Sequence, residues 1–257
     1  MTPNISSTFV KGLSLFKAFD HANSRLTLAD IARRTGMDRA SVRRLTLTLV
    51  HLGYVAKEDR FYALTPKVLV LAGSFLRGNH FGSQIQPILD RFAAELGSEL
   101  SMAMIDETDA VYVAKSTLST SAVSFGFTIG SRLPLLQTAI GRMLLAVEGE
   151  ELREAIITQT QLQAHTPHSL LDRDALRRAI GQIRVNGFAK VEGAFEVGIT
   201  GLAVPVLPVR GAQAVLGASA PQIQLGRPDT EERFLDVLFR CAAEINRSYA
   251  PATGDAP

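Results

Sequence analysis

The chain of 257 residues holds no tryptophan and a single cysteine, Cys241. A lone cysteine excludes an internal disulfide framework and a thiolate cluster, and five scattered histidines lack the paired spacing of a zinc site. Also missing are the ~18–20 consecutive apolar residues that cross a bilayer and, between Met1 and Phe9, the basic patch and apolar core of a secretory signal. A cytoplasmic chain is expected, with no membrane partner, metal or cofactor. Excess glycine and proline are absent too: 20 Gly, 11 Pro, 46% hydrophobic and 20% charged residues exclude collagen-like and disordered classes. At roughly 100–200 residues per domain, the length allows one large or two small domains.

The net charge is only +2, but it is unevenly spread. Residues 1–66 carry 10 Lys/Arg against 5 Asp/Glu, and the remainder 17 against 20. A basic first quarter on a mildly acidic body fits a nucleic-acid-binding module or a merely solvated surface, and the residue pattern discriminates. Phe9, Leu13, Phe16 and Phe19 recur at helical spacing, which predicts an amphipathic helix over 7–22. Thr27 can accept from a first-turn amide of a second helix starting at Leu28, where Asp30 suits the positive helix end. Gly36 stops that helix, and Asp38 caps a third over 39–52. Two short helices joined by a three-residue turn containing glycine are a helix-turn-helix.

Val42, Leu45, Leu49 and Leu52 make the expected buried face of the third helix. Arg39, Ser41, Arg43, Arg44 and Thr48 fall outside it, and the N-terminal half of such a helix is the part that reaches base edges. Tyr54 to Ala56 and Phe61 to Leu64 read as strands around a charged turn, a wing whose Lys57 and Arg60 would meet phosphates. The expected DNA-binding set is thus Thr27, Arg39, Ser41, Arg43, Arg44, Thr48, Lys57 and Arg60. Pro66 opens a linker helix ending near Gly78, with more apolar residues than one face needs, so it is expected to help dimerise. Helices over 83–96, 138–147, 172–186 and 230–249, with strands over 100–105, 110–114, 188–192, 202–209 and 214–220, predict a mixed α+β body.

The segments LADIARRTGMDRASVRRLTLTLVHLGYV (Leu28 to Val55) and FYALTPKVLVLAG (Phe61 to Gly73) resemble the DNA-binding half of the IclR family of bacterial transcription regulators. SRLPLLQTAIGRMLLA (Ser131 to Ala146), NGFAKVEGAFEVGITGLAVPV (Asn186 to Val206) and AVLGASAP (Ala214 to Pro221) are similar to that family's effector domain in order and spacing. The resemblance implies an α+β protein: a winged helix-turn-helix (1–65), a linker helix (66–80), a GAF-like mixed α/β effector domain (81–250) and a disordered tail (251–257). It implies a homodimer or tetramer whose grip on double-stranded operator DNA is controlled by a small organic acid, with the linker helix carrying the effector's preference to the two reading helices.

The resemblance also locates a pocket at Thr138, Ala139, Ile140, Val191, Gly201, Gly217 and Ser219, with Met104, Phe127 and Arg132 as further candidates. Family members that bind small keto acids place an Asp, a Cys or Ser, and two Ser residues at the positions matching Val191, Gly201, Gly217 and Ser219. Only Ser219 keeps a hydroxyl here. Lost polar partners, together with volume freed at the glycines, predict a larger and partly apolar effector. TPKVLVL and Gly130 to Pro134 look most like the branch controlling protocatechuate, 4-hydroxybenzoate and β-ketoadipate pathways, so an aromatic or dicarboxylic acid is expected; a short keto acid is the alternative. Its carboxylate would be held by free amides near Thr138 or by Arg132, for which a surface salt bridge competes. Ser219, His165, His168 and Asp172 could be strung into a hydrolase, but the Gly-x-Ser-x-Gly elbow is missing, and no catalytic residue is expected. Met102, Met104, Phe125 and Phe127, at alternating positions, read as cavity lining or plain sheet core.

Overall fold

The computed structural model describes residues 5–20, 23–117, 126–209 and 211–249, so Phe125 and the expected tail lie outside the described residues. The chain divides into two compact units, one ending at Phe75 and the other starting at Leu76.

The first unit holds α1 (Ser7–Ser14), β1 (Arg25–Leu26), α2 (Leu28–Thr35), α3 (Arg39–His51), β2 (Val55–Glu58) and β3 (Phe61–Leu64), and α4 (Lys67–Gly78) begins in it. The strands form an antiparallel sheet in the order β1-β3-β2. A reciprocal cap starts α2: Thr27 Oγ1 accepts from the Asp30 amide at 3.2 Å, and the Asp30 carboxylate accepts from the Thr27 amide at 3.1 Å. The Thr27 hydroxyl also donates to that carboxylate at 2.7 Å, and this bond first and the Thr27 amide second hold the Asp30 carboxyl below its ordinary range. Gly36, at φ +67°, ends the helix. Asp38 then accepts from the Ser41 amide at 2.8 Å and starts α3. Leu15, Ala18, Ile31, Val42, Leu45, Leu49, Val55 and Tyr62 fill the core between these elements.

Two sequence expectations change here. The first helix ends at Ser14 and tightens into a 3-10 turn over Leu15–Ala18. In such a turn residues three apart stack, so Leu15 and Ala18 are buried while Phe9 and Leu13 stay 66% and 51% exposed. Leu52 is exposed as well, because it caps α3 rather than continuing its buried face, and Thr46 is buried instead.

The second unit contains α5 (Gln86–Leu96), entered through a π-turn, then β4 (Leu100–Asp106), β5 (Asp109–Lys115), β6 (Arg132–Pro134), α6 (Ala139–Val147), α7 (Glu150–Gln159), α8 (Arg173–Asn186), β7 (Ala189–Glu192), β8 (Ile199–Val209), β9 (Ala212–Pro221), α9 (Gln222–Leu225) and α10 (Pro228–Tyr249). Its six strands lie antiparallel in the order β6-β5-β4-β9-β8-β7. Strand alternation divides the core. Leu100, Met102, Leu202, Val204 and Leu216 pack with residues of α5 and α10, among them the buried Cys241. Ala103, Ala203 and Val215 pack on the other face with α6 and α8. Among the described residues, no helix is long and apolar enough to cross a membrane.

Candidate functional site

On α3, Arg39, Arg43, Arg44 and Thr48 are exposed and Ser41 is half-buried. Among the described residues none of these three arginines forms an ion pair, whereas on α2 Arg33 is neutralised by Asp30 and Arg34 by Asp20. The expected hydroxyls are partly committed: Thr27 to its cap, and Thr48 to the Arg44 carbonyl at 3.0 Å. The end of α3 is braced by Lys67, which donates to the Leu52 carbonyl at 2.7 Å and lies 5.1 Å from the Tyr54 ring. In the wing, Lys57 is exposed on β2, and Asp59 and Arg60 form the two-residue turn, with the Arg60 guanidinium 5.2 Å from the Phe61 ring. A braced helix presenting three uncompensated guanidinium groups beside a wing that carries Lys57 and Arg60 is suited to a phosphate backbone and to guanine edges.

In the second unit, a cavity of about 90 Å³ lies between the start of α6 and the sheet. That is several times the ~10–15 Å³ one water needs, so a compact organic molecule is the fitting occupant. Phe127, Thr138, Ala139, Ile140, Val191, Gly201, Gly217 and Ser219, all expected from the sequence, come together around it. The Thr138 hydroxyl accepts from the Gly141 amide at 3.0 Å and donates to the Pro134 carbonyl at 3.0 Å. This cap leaves the Ala139 and Ile140 amides without a partner among the described residues, at the positive end of a helix. One wall is a continuous aromatic run: Tyr112 meets Phe127 at 6.1 Å, Phe127 meets Phe195 at 6.3 Å, and His165 backs Phe195 at 5.1 Å. Burial pushes the Tyr112 phenol up to about 12, against a smaller opposing effect of the neighbouring Ser101, so it keeps its proton.

The glycines do not enlarge this cavity. A Cβ on Gly217 would lie 2.6 Å from Ile140 Cγ1, and one on Gly201 would lie 3.1 Å from Ala139 Cβ. The space their side chains would fill is taken by α6, which therefore sits close on the sheet. Met104 and Arg132 do not line the cavity. Met104 packs against the core on the opposite face, because strand alternation turns it away from Ser101 and Ala103. Arg132 clamps the β4–β5 turn, with Nε 2.9 Å from the Asp109 carboxylate, Nη2 3.0 Å from the Asp106 carbonyl and Nη1 on the Asp106 carboxylate. Asp172 caps α8 and His165 backs Phe195, and no described contact joins either to Ser219.

Sequence reasoning missed Glu99, Ser101, Lys115 and Phe195 in the cavity wall. A signal for the charged pair existed: Glu99 precedes one apolar strand and Lys115 ends the next, so an antiparallel hairpin must bring opposite charges to the same open end.

Residues 8–59 match the IclR helix-turn-helix domain, and residues 74–247 match the C-terminal domain of the bacterial transcriptional regulator IclR. The chain belongs to the IclR family. This IclR regulator has a DNA-binding N-terminal domain and an effector-binding C-terminal domain. It is 32% identical over 244 residues to the Pca regulon regulatory protein of Pseudomonas putida, covering 95% of this chain and 84% of that protein. It is 30% identical over 214 residues to the p-hydroxybenzoate hydroxylase transcriptional activator of Acinetobacter baylyi, covering 82% and 79%. The inducer-binding domain of a double mutant of the PobR transcription factor from Acinetobacter, solved with 3-hydroxybenzoic acid, is similar with a TM-score of 0.58 at 25% identity, covering 65% of this chain and 98% of that one. These relatives are named as regulators of transcription, not as enzymes.

Proposed function

We propose that this IclR regulator reads its operator with Arg39, Ser41, Arg43 and Arg44 of α3, steadied by Lys57 and Arg60 of the wing, and that a single-ring aromatic acid controls the affinity. The observation that carries the effector assignment is the pairing of an aromatic wall with two unpartnered first-turn amides in one compact cavity. A planar ring stacks edge or face against Phe127 and Phe195, and its carboxylate takes the Ala139 and Ile140 amides. The relatives named for the Pca regulon and for p-hydroxybenzoate hydroxylase, and the 3-hydroxybenzoate complex, support that class and a role in the control of aromatic catabolism. It works in the cytoplasm, where operator DNA is found, as a homodimer or tetramer. The exposed Leu69, Val70, Leu71 and Phe75 of α4 supply the apolar surface for pairing. Control follows from linkage: the acid favours whichever arrangement of the reading helices it binds better.

Fluorescence anisotropy on duplexes selected from a random pool, at one fixed salt concentration, tests both parts. Arg43→Ala is expected to weaken specific binding about 10-fold or more, and hydroxybenzoates to shift wild-type affinity several-fold. Unchanged affinity in Arg43→Ala removes the reading-helix assignment. Indifference to every aromatic acid, with a response to short keto acids, removes the effector assignment.

A further inference from the structure

With an aromatic acid as the effector, the polar end of the cavity acquires a role. The β4–β5 hairpin brings Glu99 and Lys115 together at its open end, where the Lys115 ammonium lies 3.1 Å from a Glu99 carboxylate oxygen. Both side chains are largely withdrawn from water, 18% and 16% exposed. Lys115 also donates to the Phe127 carbonyl at 2.7 Å, which ties the pair to the aromatic wall. Ser101 and Ser219 stand on the same sheet face, and Glu196 lines the rim, so carboxylates outnumber ammonium groups around the cavity.

A carboxylate has about four acceptor sites and an ammonium three N–H donors, so this pair has hydrogen-bonding capacity beyond the contacts just named. A partly desolvated ion pair is stable only when that remaining capacity is met. A ring hydroxyl meets both needs at once, since it is neutral at pH 7 and carries one donor and two acceptor lone pairs. A second carboxylate on the ring carries acceptors only and would stand beside Glu99 with like charge in a poorly hydrated place. A ring without a donor leaves the Glu99 oxygens desolvated and unmatched.

We propose, on the strength of the aromatic-acid reading, that Glu99 and Lys115 set the specificity of this cavity: they select a hydroxylated aromatic monocarboxylic acid, whose hydroxyl donates to Glu99 and accepts from Lys115, and they reject aromatic dicarboxylates.

Titration calorimetry on the full chain tests the assignment, with 3- and 4-hydroxybenzoate set against 3- and 4-fluorobenzoate and benzene-1,4-dicarboxylate. The hydroxylated acids are expected to bind about 10-fold or more tightly than the fluorinated ones, and the dicarboxylate not to bind. In Glu99→Gln the hydroxyl preference shrinks and the dicarboxylate gains affinity, because Lys115 then stands uncompensated. Equal affinity for hydroxylated and fluorinated rings, or tight binding of the dicarboxylate to the wild type, overturns the proposal while leaving the aromatic-acid reading standing. If no aromatic acid binds, that reading falls and this one with it. Should Glu99→Gln fail to fold, the wild-type comparison decides.

Discussion

Individual residues decide how near α6 comes to the sheet. Gly201 and Gly217 were conspicuous as departures from a polar pattern, and their missing side chains pointed to added room. What a glycine admits depends on what faces it, and facing these two are Ala139 and Ile140. Gly217→Ala sets a Cβ 2.6 Å from Ile140 Cγ1 and 3.1 Å from the Leu202 carbonyl oxygen. It should destabilise the effector unit by about 1–3 kcal/mol, read as a lower urea midpoint, and should cost less when introduced into an Ile140→Ala background than into the wild type. An equal cost in both backgrounds would mean that the Leu202 carbonyl, not Ile140, is the obstacle. Arg132 carries the converse lesson: a cation beside a pocket motif invites a ligand role, yet Asp106 and Asp109 lie close enough to neutralise it.

At the scale of elements, the caps were legible because they are local chemistry. Thr27 with Asp30, Asp38 with Ser41 and left-handed Gly36 mark the ends of α2 and α3 where the residue types alone put them. β1 and β6 were missed because two or three residues are too few to show alternation. α7 was missed because the residues it buries, Arg153, Ile156 and Ile157, include a charged one and leave only a short apolar pair. α4 matched its expected span, and no residue of it is buried, with Leu69, Val70 and Leu71 each at least 60% exposed. An exposed apolar run of this size is the surface that the pairing proposed above would cover. The double variant Leu69→Glu with Leu71→Glu should therefore sediment at a lower mass than the wild type while keeping its helical circular dichroism. A wild type that is itself monomeric at micromolar concentration would remove α4 from the interface.

At the scale of the whole molecule, the division into a basic reading unit and an acidic sensing unit was visible in charge counts, since sign asymmetry survives without any knowledge of packing. Two groups of the effector unit couple its stability to alkaline pH. Burial raises the Cys241 thiol from 9.0 to about 12 and the Tyr112 phenol from 10.0 to about 12. Both groups keep their protons in the folded state after the unfolded chain has begun to lose them, so the unfolded state binds fewer protons as pH climbs. Stability is therefore full below pH 9 and declines from about pH 9 towards 12. The urea midpoint of the effector unit should fall across that window and fall less in Cys241→Ala; a midpoint that is level from pH 8 to 11 contradicts the assignment.

The interlock between α6 and the sheet bears on how such a sensor changes its diet over generations. A serine at Gly217 is crowded while Ile140 fills its place, and the neighbouring side chain has to shift. Trimming Ile140 first leaves a small void that a lineage can tolerate, and the hydroxyl can then arrive. The reverse order passes through a crowded intermediate, so relatives that carry a side chain at the position of Gly217 should carry a smaller residue than isoleucine at the position of Ile140.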